Sequence, residues 1–120
     1  MATTLCYKLA GPTVGMSVTA SSHAAVVLTE FDNANANAVI VCNTSSTVPV
    51  YINIVSGNDS NGNPLVAPAA TIPGDGTAGS FPILTYQSTP INCGYGPLSV
   101  TAIGGAAGPT LVTFTPITLF

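Results

Sequence analysis

The pattern of hydrophobic and polar positions is clearest between residues 38 and 55. An unbroken apolar run at 38–42 predicts a strand that is covered on both faces. After a polar break at 43–47, apolar side chains occupy every second position from Val48 to Ile54. This alternation predicts a strand with one face on the core and the other in a wetter setting. The two segments are therefore predicted to pair as an antiparallel hairpin at the centre of a small β-sandwich.

Strand-like segments recur along the rest of the chain at intervals of about 8–12 residues, with Gly, Pro or Asn between them. Pro68 and Pro82 each lack a backbone donor, which predicts that they lie at edge strands or strand starts. A short apolar piece at 65–72 is cut by the first of these prolines. The other predicted strand segments are 5–9, 14–20, 24–29, 81–86, 90–93, 98–103 and 110–115.

No segment has a convincing period of 3.6 residues, so helices are not expected. Eight to ten short strands predict an all-β, single-domain antiparallel β-sandwich over residues 1–120. A jelly-roll-like arrangement is the first choice, and an immunoglobulin-like sandwich is the alternative. Residues 1–12 are a candidate N-terminal arm, and residues 116–120 are a candidate C-terminal tail.

Charge is the unusual feature of the composition. Ionisable acids and bases make up 4% of the chain, where about 25% is normal. A surface built of Ser, Thr, Asn, Gly, Pro and Ala loses little hydration when a partner covers it, because no ion is stripped of water. We interpret it as a surface that other subunits cover; the alternative is the neutral exterior of a secreted domain. The charged residues are Lys8, Glu30, Asp32, Asp59 and Asp75.

The same composition argues against several classes of function. A net charge of −3 with one basic side chain does not suit nucleic acid, since phosphate binding needs clustered Lys or Arg. Aliphatic runs at 24–28 and 38–42 are far shorter than the roughly 18–20 residues of a membrane helix. No signal peptide is predicted at the N-terminus. Cys6, Cys42 and Cys93 are odd in number and lack metal-site spacing, which predicts three buried free thiols in a protein made in a reducing cytoplasm.

Candidate catalytic and metal-binding residues are few. His23 is interpreted as an exposed turn histidine, because no nucleophile stands at a useful spacing. Glu30 and Asp32 share a face of an extended chain and are interpreted as solvent-exposed residues at the end of a strand. The segment 59–63 resembles a calcium loop but lacks its closing Glu, and the glycines of 104–108 lead into a strand rather than a helix. The sequence therefore predicts no enzyme activity, no metal and no cofactor.

Three aromatic residues leave one binding function open. Tyr51, Tyr86 and Tyr95 are expected at the surface, where aromatic rings can stack on sugars. Trp is absent from the chain. A carbohydrate-binding β-sandwich module is therefore kept as an alternative from a different functional class.

Five segments carry a resemblance to a known family over roughly residues 38–116. They are VIVCNT at 39–44, VYIN at 50–53, FPIL at 81–84, LSVTAIG at 98–104 and LVTFTP at 111–116. In this order they resemble small β-sandwich structural proteins of tailed bacteriophages. That group includes capsid decoration (cement) proteins and related head or tail accessory proteins, and its pattern is not catalytic.

The resemblance implies a non-enzymatic virion protein on the capsid exterior, assembled in the host cytoplasm. Its expected partners are the major capsid protein, whose subunit contacts it would stabilise, and further copies of itself, with a trimer as one candidate state. A tail, fibre or connector-associated protein is the alternative within this class. Apolar side chains near both ends of the chain are the candidate subunit contacts, unless the C-terminal ones complete the last strand of their own core: Leu5, Tyr7, Ile117, Leu119 and Phe120.

Overall fold

The computed structural model describes residues 6–32, 34–105 and 108–120. Over these residues the chain forms β-strands and no helix, which confirms the all-β prediction. The strands are β1 (Tyr7–Leu9), β2 (Val14–Val18), β3 (Val26–Val27), β4 (Ala38–Asn43), β5 (Val50–Ser56), β6 (Phe81–Ile83), β7 (Ser88–Asn92), β8 (Leu98–Gly104) and β9 (Thr110–Leu119).

The strands pair in a nested order. β2 pairs with β9, β3 with β8, β4 with β7 and β5 with β6, as in one long antiparallel hairpin. The hairpin is rolled up, because β4 also pairs with β9 and β5 with β8. The first sheet has the order β2-β9-β4-β7, with β1 beside β2 on the edge of β9, and the second has the order β3-β8-β5-β6. This is the strand order of a jelly roll, so the structure favours the first choice over the immunoglobulin-like alternative.

The predicted hairpin over residues 38–55 is wrong. β4 lies in the first sheet and β5 in the second, and each strand pairs with partners far away in sequence. The polar residues between them span the sandwich from one sheet to the other instead of turning back within a sheet. The predicted burial of the two strands is nevertheless confirmed, because β4 is largely covered on both faces and Val50 and Ile52 are buried in the core.

Asn43 fixes this crossing between the sheets. Its side chain is fully buried at the end of β4. The amide nitrogen donates to the carbonyl oxygens of Val48 at 2.8 Å and Ile83 at 3.2 Å, and the amide oxygen accepts the backbone N–H of Ser45 at 3.0 Å. A buried amide needs such partners, because an unpaired polar group in the interior is costly. Asn43 thus ties the first sheet both to the crossing loop and to β6 of the second sheet.

The core lies between the facing sheets and follows the period-two pattern of the strands. Phe114 is the largest side chain that is fully buried. The first sheet contributes alternate residues from β2, β4 and β9, and the second sheet contributes alternate residues from β5 and β8. The principal core side chains are Met16, Val18, Val39, Val41, Val50, Ile52, Ile83, Leu98, Val100, Val112 and Phe114.

β8 is buried on its outer face as well, because residues 65–72, here called the strap, lie across the second sheet. The strap forms no strand but bonds to the sheet through side chains. The backbone N–H of Ala67 donates to Ser99 Oγ at 3.0 Å, and Thr101 Oγ1 donates to the carbonyl of Pro68 at 2.6 Å. The hydroxyls of Ser99 and Thr101 are therefore buried, and each has a hydrogen-bond partner in the strap.

Further contacts hold the strap along its length. Asn53 Nδ2 donates to the carbonyls of Pro68 at 3.1 Å and Ala69 at 3.2 Å, and the N–H of Ala70 donates to Ser22 Oγ at 2.8 Å. The prediction that proline marks a strand edge is confirmed for Pro82 in β6 and wrong for Pro68. A proline suits the strap because only its carbonyl is needed there.

β9 extends beyond the predicted end at residue 115 and includes most of the candidate tail. Ile117 is fully buried and lies opposite Leu9 of β1 and Ala38 of β4. The geometry therefore matches the alternative in which these residues complete the last strand. At the other end, residues 7–9 of the candidate arm form β1, and Leu5 lies outside the described residues.

We expect Asn43→Ala to lower the free energy of unfolding by about 1–3 kcal/mol, because the carbonyls of Val48 and Ile83 each lose a buried donor. Urea unfolding measures the change. Asn61→Ala in an exposed turn is the matched control, and it should leave the midpoint within experimental scatter. Equal midpoints for the two variants would contradict the role given to Asn43.

Thr101→Val tests the strap, since valine keeps the shape of threonine but cannot donate to Pro68. We expect a loss of about 1 kcal/mol and faster hydrogen exchange at the amides of Ala67 and Ala70. Thr47→Val, at an exposed position, is the control. Unchanged exchange in the strap would show that its attachment does not depend on this bond.

Candidate interaction surface

The structure does not assemble the candidate catalytic residues into a site. His23 Nδ1 lies 2.7 Å from the carbonyl oxygen of the neighbouring Ala24, so the ring bonds to local backbone. All three cysteines are free thiols, but the predicted burial is wrong for Cys6, which is exposed beside β1. Cys42 on β4 and Cys93 after β7 are half-buried. The arrangement offers no hydrogen-bonded pair of nucleophile and base in the described part of the chain.

The carboxylates also have separate roles. Glu30 Oε1 accepts the backbone N–H of Ala36 at 2.7 Å and so closes the loop after β3. Asp32, two residues later, is exposed. Asp59 Oδ1 accepts the N–H groups of Asn61 at 2.9 Å and Asn63 at 3.0 Å, which is the geometry of a turn closed by its own side chain. The predicted glycine turn at 104–108 lies partly outside the described residues.

The three candidate sugar-stacking tyrosines do not form one platform. Tyr51 is half-buried near the start of β5, and Tyr86 is exposed in a turn at the same end, with a φ of 55°. Tyr95 is exposed at the opposite end of β5, where the adjacent Gly96 packs closely against Gly57. A sugar that stacked on Tyr95 would be out of reach of the other two rings.

The surface exposes many large apolar side chains. In the described part of the chain, thirteen large hydrophobic residues are exposed, while the whole chain has five charged ones. Surface hydrophobic residues that stand singly need no explanation, but clusters mark contact sites. The exposed residues are Tyr7, Leu9, Val27, Phe31, Leu65, Val66, Ile72, Phe81, Leu84, Tyr86, Tyr95, Leu111 and Phe120.

Three of these residues surround an open pocket where β1, the loop after β3 and the end of β9 meet. Leu9 is 56% exposed, Phe31 51% and Phe120 84%. The pocket has a volume of about 400 Å³. We call this region the terminal corner, and its lining consists of Lys8, Leu9, Phe31, Asp32, Ala34, Asn35, Thr118 and Phe120.

Hydrogen bonds hold the loop of the terminal corner in place. The N–H of Phe31 donates to the carbonyl of Ala10 at 2.7 Å, and Thr118 Oγ1 donates to the carbonyl of Asn35 at 2.7 Å. The loop is therefore fixed at one end to the residue after β1 and at the other to β9. The aromatic ring of Phe31 is presented to solvent from a defined backbone.

Asn37 fixes the end of β9 in a similar way. Its amide oxygen accepts the N–H of Leu119 at 2.7 Å, and its amide nitrogen donates to the carbonyl of the same residue at 3.2 Å. Its own carbonyl accepts the N–H groups of Cys93 at 2.9 Å and Gly94 at 3.0 Å. The side chain thus acts as a strand partner for the last residue of β9, next to the exposed Phe120.

The structure separates the predicted subunit contacts. Tyr7 is exposed and lies opposite the half-buried Leu119, and Phe120 is the most exposed of the large hydrophobic residues that the structure describes. Ile117 offers no surface to a neighbour, because its side chain is 0% exposed. Leu5 lies outside the described residues.

Sequence reasoning misses three members of the terminal corner. Asp32 is interpreted only as an exposed carboxylate at the end of a strand, Lys8 enters the sequence analysis only as a charge, and Phe31 is not singled out there. The available signal is the single aromatic residue in a run of Asn and Ala. Such a side chain in a polar loop needs a packing partner or lies at a contact site.

A second pocket of about 350 Å³ opens at the side of the sandwich, between β5 and β7 beyond the short β6. Ile52, Ile54, Phe81, Ile91 and Cys93 supply its apolar lining. Burial raises the pKa of the Cys93 thiol from 9.0 to about 11, because the thiolate loses hydration in this setting. The thiol is therefore neutral at physiological pH and is a poor nucleophile.

The pKa of Cys93 predicts its reactivity toward iodoacetamide. In a variant with Cys6→Ser and Cys42→Ser, alkylation of the native protein should be slow at pH 8 and rise with a midpoint near pH 11. The unfolded variant, measured in urea, is the control, with a midpoint near the ordinary value of 9.0. Equal midpoints in both states would contradict the effect of burial.

The same shift has a consequence for stability. Between pH 9 and 11 the unfolded state loses the Cys93 proton before the folded state does, so stability is lost as the pH rises through this window. Cys93→Ala should remove this part of the pH dependence. Cys6→Ala, at an exposed position, should retain it.

Neither a metal site nor a membrane segment stands out among the described residues. No three His, Cys, Asp or Glu side chains of that part of the chain come together in a way that would hold a metal ion. Nor do the same residues form a helix of the length and hydrophobicity that crossing a membrane requires. Comparisons of the chain with protein-family models, curated proteins and solved structures give no match.

Proposed function

We propose that this chain is a non-enzymatic structural protein of a bacteriophage virion, namely a capsid decoration (cement) protein. It binds the major capsid protein and further copies of itself on the capsid exterior, after synthesis in the host cytoplasm. The observation that carries the proposal is the surface, where exposed large hydrophobic residues outnumber the charged residues of the whole chain.

The energetics of such a surface favour permanent contacts. Each 100 Å² of apolar area removed from water contributes on the order of 2.5 kcal/mol before association costs are subtracted. Few ions are stripped of water in the process, since the chain has one cation and four carboxylates. A protein that stays covered after assembly gains from this composition, whereas a free monomer normally relies on charge for solubility.

The edges of the sheets support association through faces and corners. β6 and β7 are edge strands of the two sheets, and each contains a proline, Pro82 and Pro90. A proline on an edge strand removes a donor and discourages open-ended pairing with another chain. At these two edges, contacts between side chains are therefore favoured over strand pairing, as a closed assembly of many copies requires.

The copy number in purified particles tests the proposal. Particles of the phage that encodes the chain are purified, and the chain is quantified against the major capsid protein by mass spectrometry. We expect a number comparable with that of the capsid subunits, and re-addition of the pure chain to stripped particles should restore it. Absence from particles would overturn the proposal.

The same measurement separates the alternative within this class. A tail, fibre or connector-associated protein would occur in the number set by one ring or one fibre, far below the number of capsid subunits. Such a count would replace the decoration assignment and keep the structural one. Empty capsids without tails are the control, because they retain a decoration protein and lose a tail protein.

A further inference from the structure

We infer that the terminal corner is a two-fold contact between two copies of this chain, in which Lys8 of each copy pairs with Asp32 of the other. The inference rests on the proposed function in that it names one of the self-contacts expected there. It adds a defined patch, a symmetry and two cross-copy ion pairs.

The first argument is the charge of the pocket. Lys8 is the only Lys or Arg of the chain, and it lines the same pocket as Asp32. In the described residues no ammonium and carboxylate lie within the 4.0 Å of an ion pair, so both groups are available to a partner. A partner that supplies a carboxylate for Lys8 and a cation for Asp32 keeps both charges paired when it covers the pocket. A second copy brings both groups together on one patch.

The second argument is the apolar content of the same patch. Leu9, Phe31 and Phe120 are all more than half exposed around the pocket. Aromatic side chains bury much area at little cost in conformational entropy and dominate the centres of interfaces. A copy that seats its own Phe31 and Phe120 against these residues removes all of them from water.

The third argument is symmetry. Both charges and the apolar residues lie on one patch, so a contact in which Lys8 of each copy meets Asp32 of the other uses the same patch twice and is two-fold. A ring of three copies would need two different patches. A stable interface covers about 800 Å² per partner, roughly an eighth of the 6538 Å² surface of the chain.

The position of the corner also suits a second copy. β1 is an edge strand that pairs only with β9, so no further strand of the described chain stands between Lys8 and a neighbour. The loop that carries Phe31 and Asp32 is held by hydrogen bonds at both ends. The contact therefore needs little reorganisation, which limits the entropic cost of association.

Charge reversal in separate copies tests the contact. K8D places two acidic groups in each patch, and D32K places two basic groups there. Each variant alone should dimerise about tenfold or more weakly than the wild-type chain, because attraction is replaced by repulsion at two symmetric sites. Analytical ultracentrifugation measures the dissociation constant, and circular dichroism verifies the fold of each variant.

Mixing the two variants gives the decisive result. In a mixed pair, the carboxylate introduced by K8D in one copy would face the ammonium introduced by D32K in the other. The native Asp32 of the first copy would face the native Lys8 of the second. We therefore expect K8D and D32K to form a heterodimer together although each is mainly monomeric alone. The K8D/D32K double variant should form a homodimer for the same reason.

Two neutral substitutions complete the test. Phe31→Ser should weaken the dimer of the wild-type charge pattern, because it removes exposed apolar area from the centre of the patch. Val66→Ser is the matched control, since Val66 is 74% exposed on the strap. It should leave the dissociation constant unchanged.

The outcomes separate this inference from the proposed function. A wild-type chain that stays monomeric at the highest soluble concentration overturns the two-fold contact, and so does a mixture of K8D and D32K that stays monomeric. If K8D abolishes binding to stripped particles while the wild-type chain is a monomer, the corner binds the shell and the two-fold contact is wrong. A dimer with these properties that is absent from particles supports the contact and overturns the virion assignment.

Discussion

The structure depends on neutral side chains that bond to backbone in place of charges. Asn43 holds the crossing between the sheets, Asn37 holds the end of β9, and Asn53, Ser99 and Thr101 hold the strap. In the described part of the chain, no buried side-chain nitrogen or oxygen lacks a hydrogen-bond partner. This matters because a chain with five charged residues has too few ion pairs to anchor its long loops. Amides and hydroxyls do so at a lower desolvation cost.

Features of the fold that depend on neighbouring residues are predicted from the sequence better than features that depend on contacts between distant segments. Alternation of apolar residues depends on local geometry, so β2, β8 and most of β9 are predicted well. Pairing depends on contacts between distant segments. The sequence pattern pairs the segments 38–42 and 48–55 because they are neighbours along the chain, whereas β4 and β5 find better partners in β9 and β8. The fold class is thus readable from the spacing of strands, and the pairing is not.

The candidate site is harder to predict than the fold for the same reason. The strap is an apolar piece without a regular period, and its role is visible only once Ser22, Ser99 and Thr101 lie beneath it. The terminal corner joins Lys8, Phe31 and Phe120 from three parts of the chain. Tyr7 and Phe120 can be named as candidate contacts because they are apolar and lie near the ends of the chain. Asp32 cannot, because its importance comes from sharing a pocket with the only cation.

The two sheets of the sandwich differ in how far other parts of the same chain cover them. The outer face of the second sheet is covered by the strap of the same chain, which buries Ser99 and Thr101. At the edge of the first sheet, β1 has no such cover among the described residues, and the apolar rings of the terminal corner remain in water. A neighbour that covers the apolar side chains at that edge gains a hydrophobic contribution in proportion to the area it removes from water. This difference in cover is the reason why we propose the terminal corner, and not the strap, as the contact between copies.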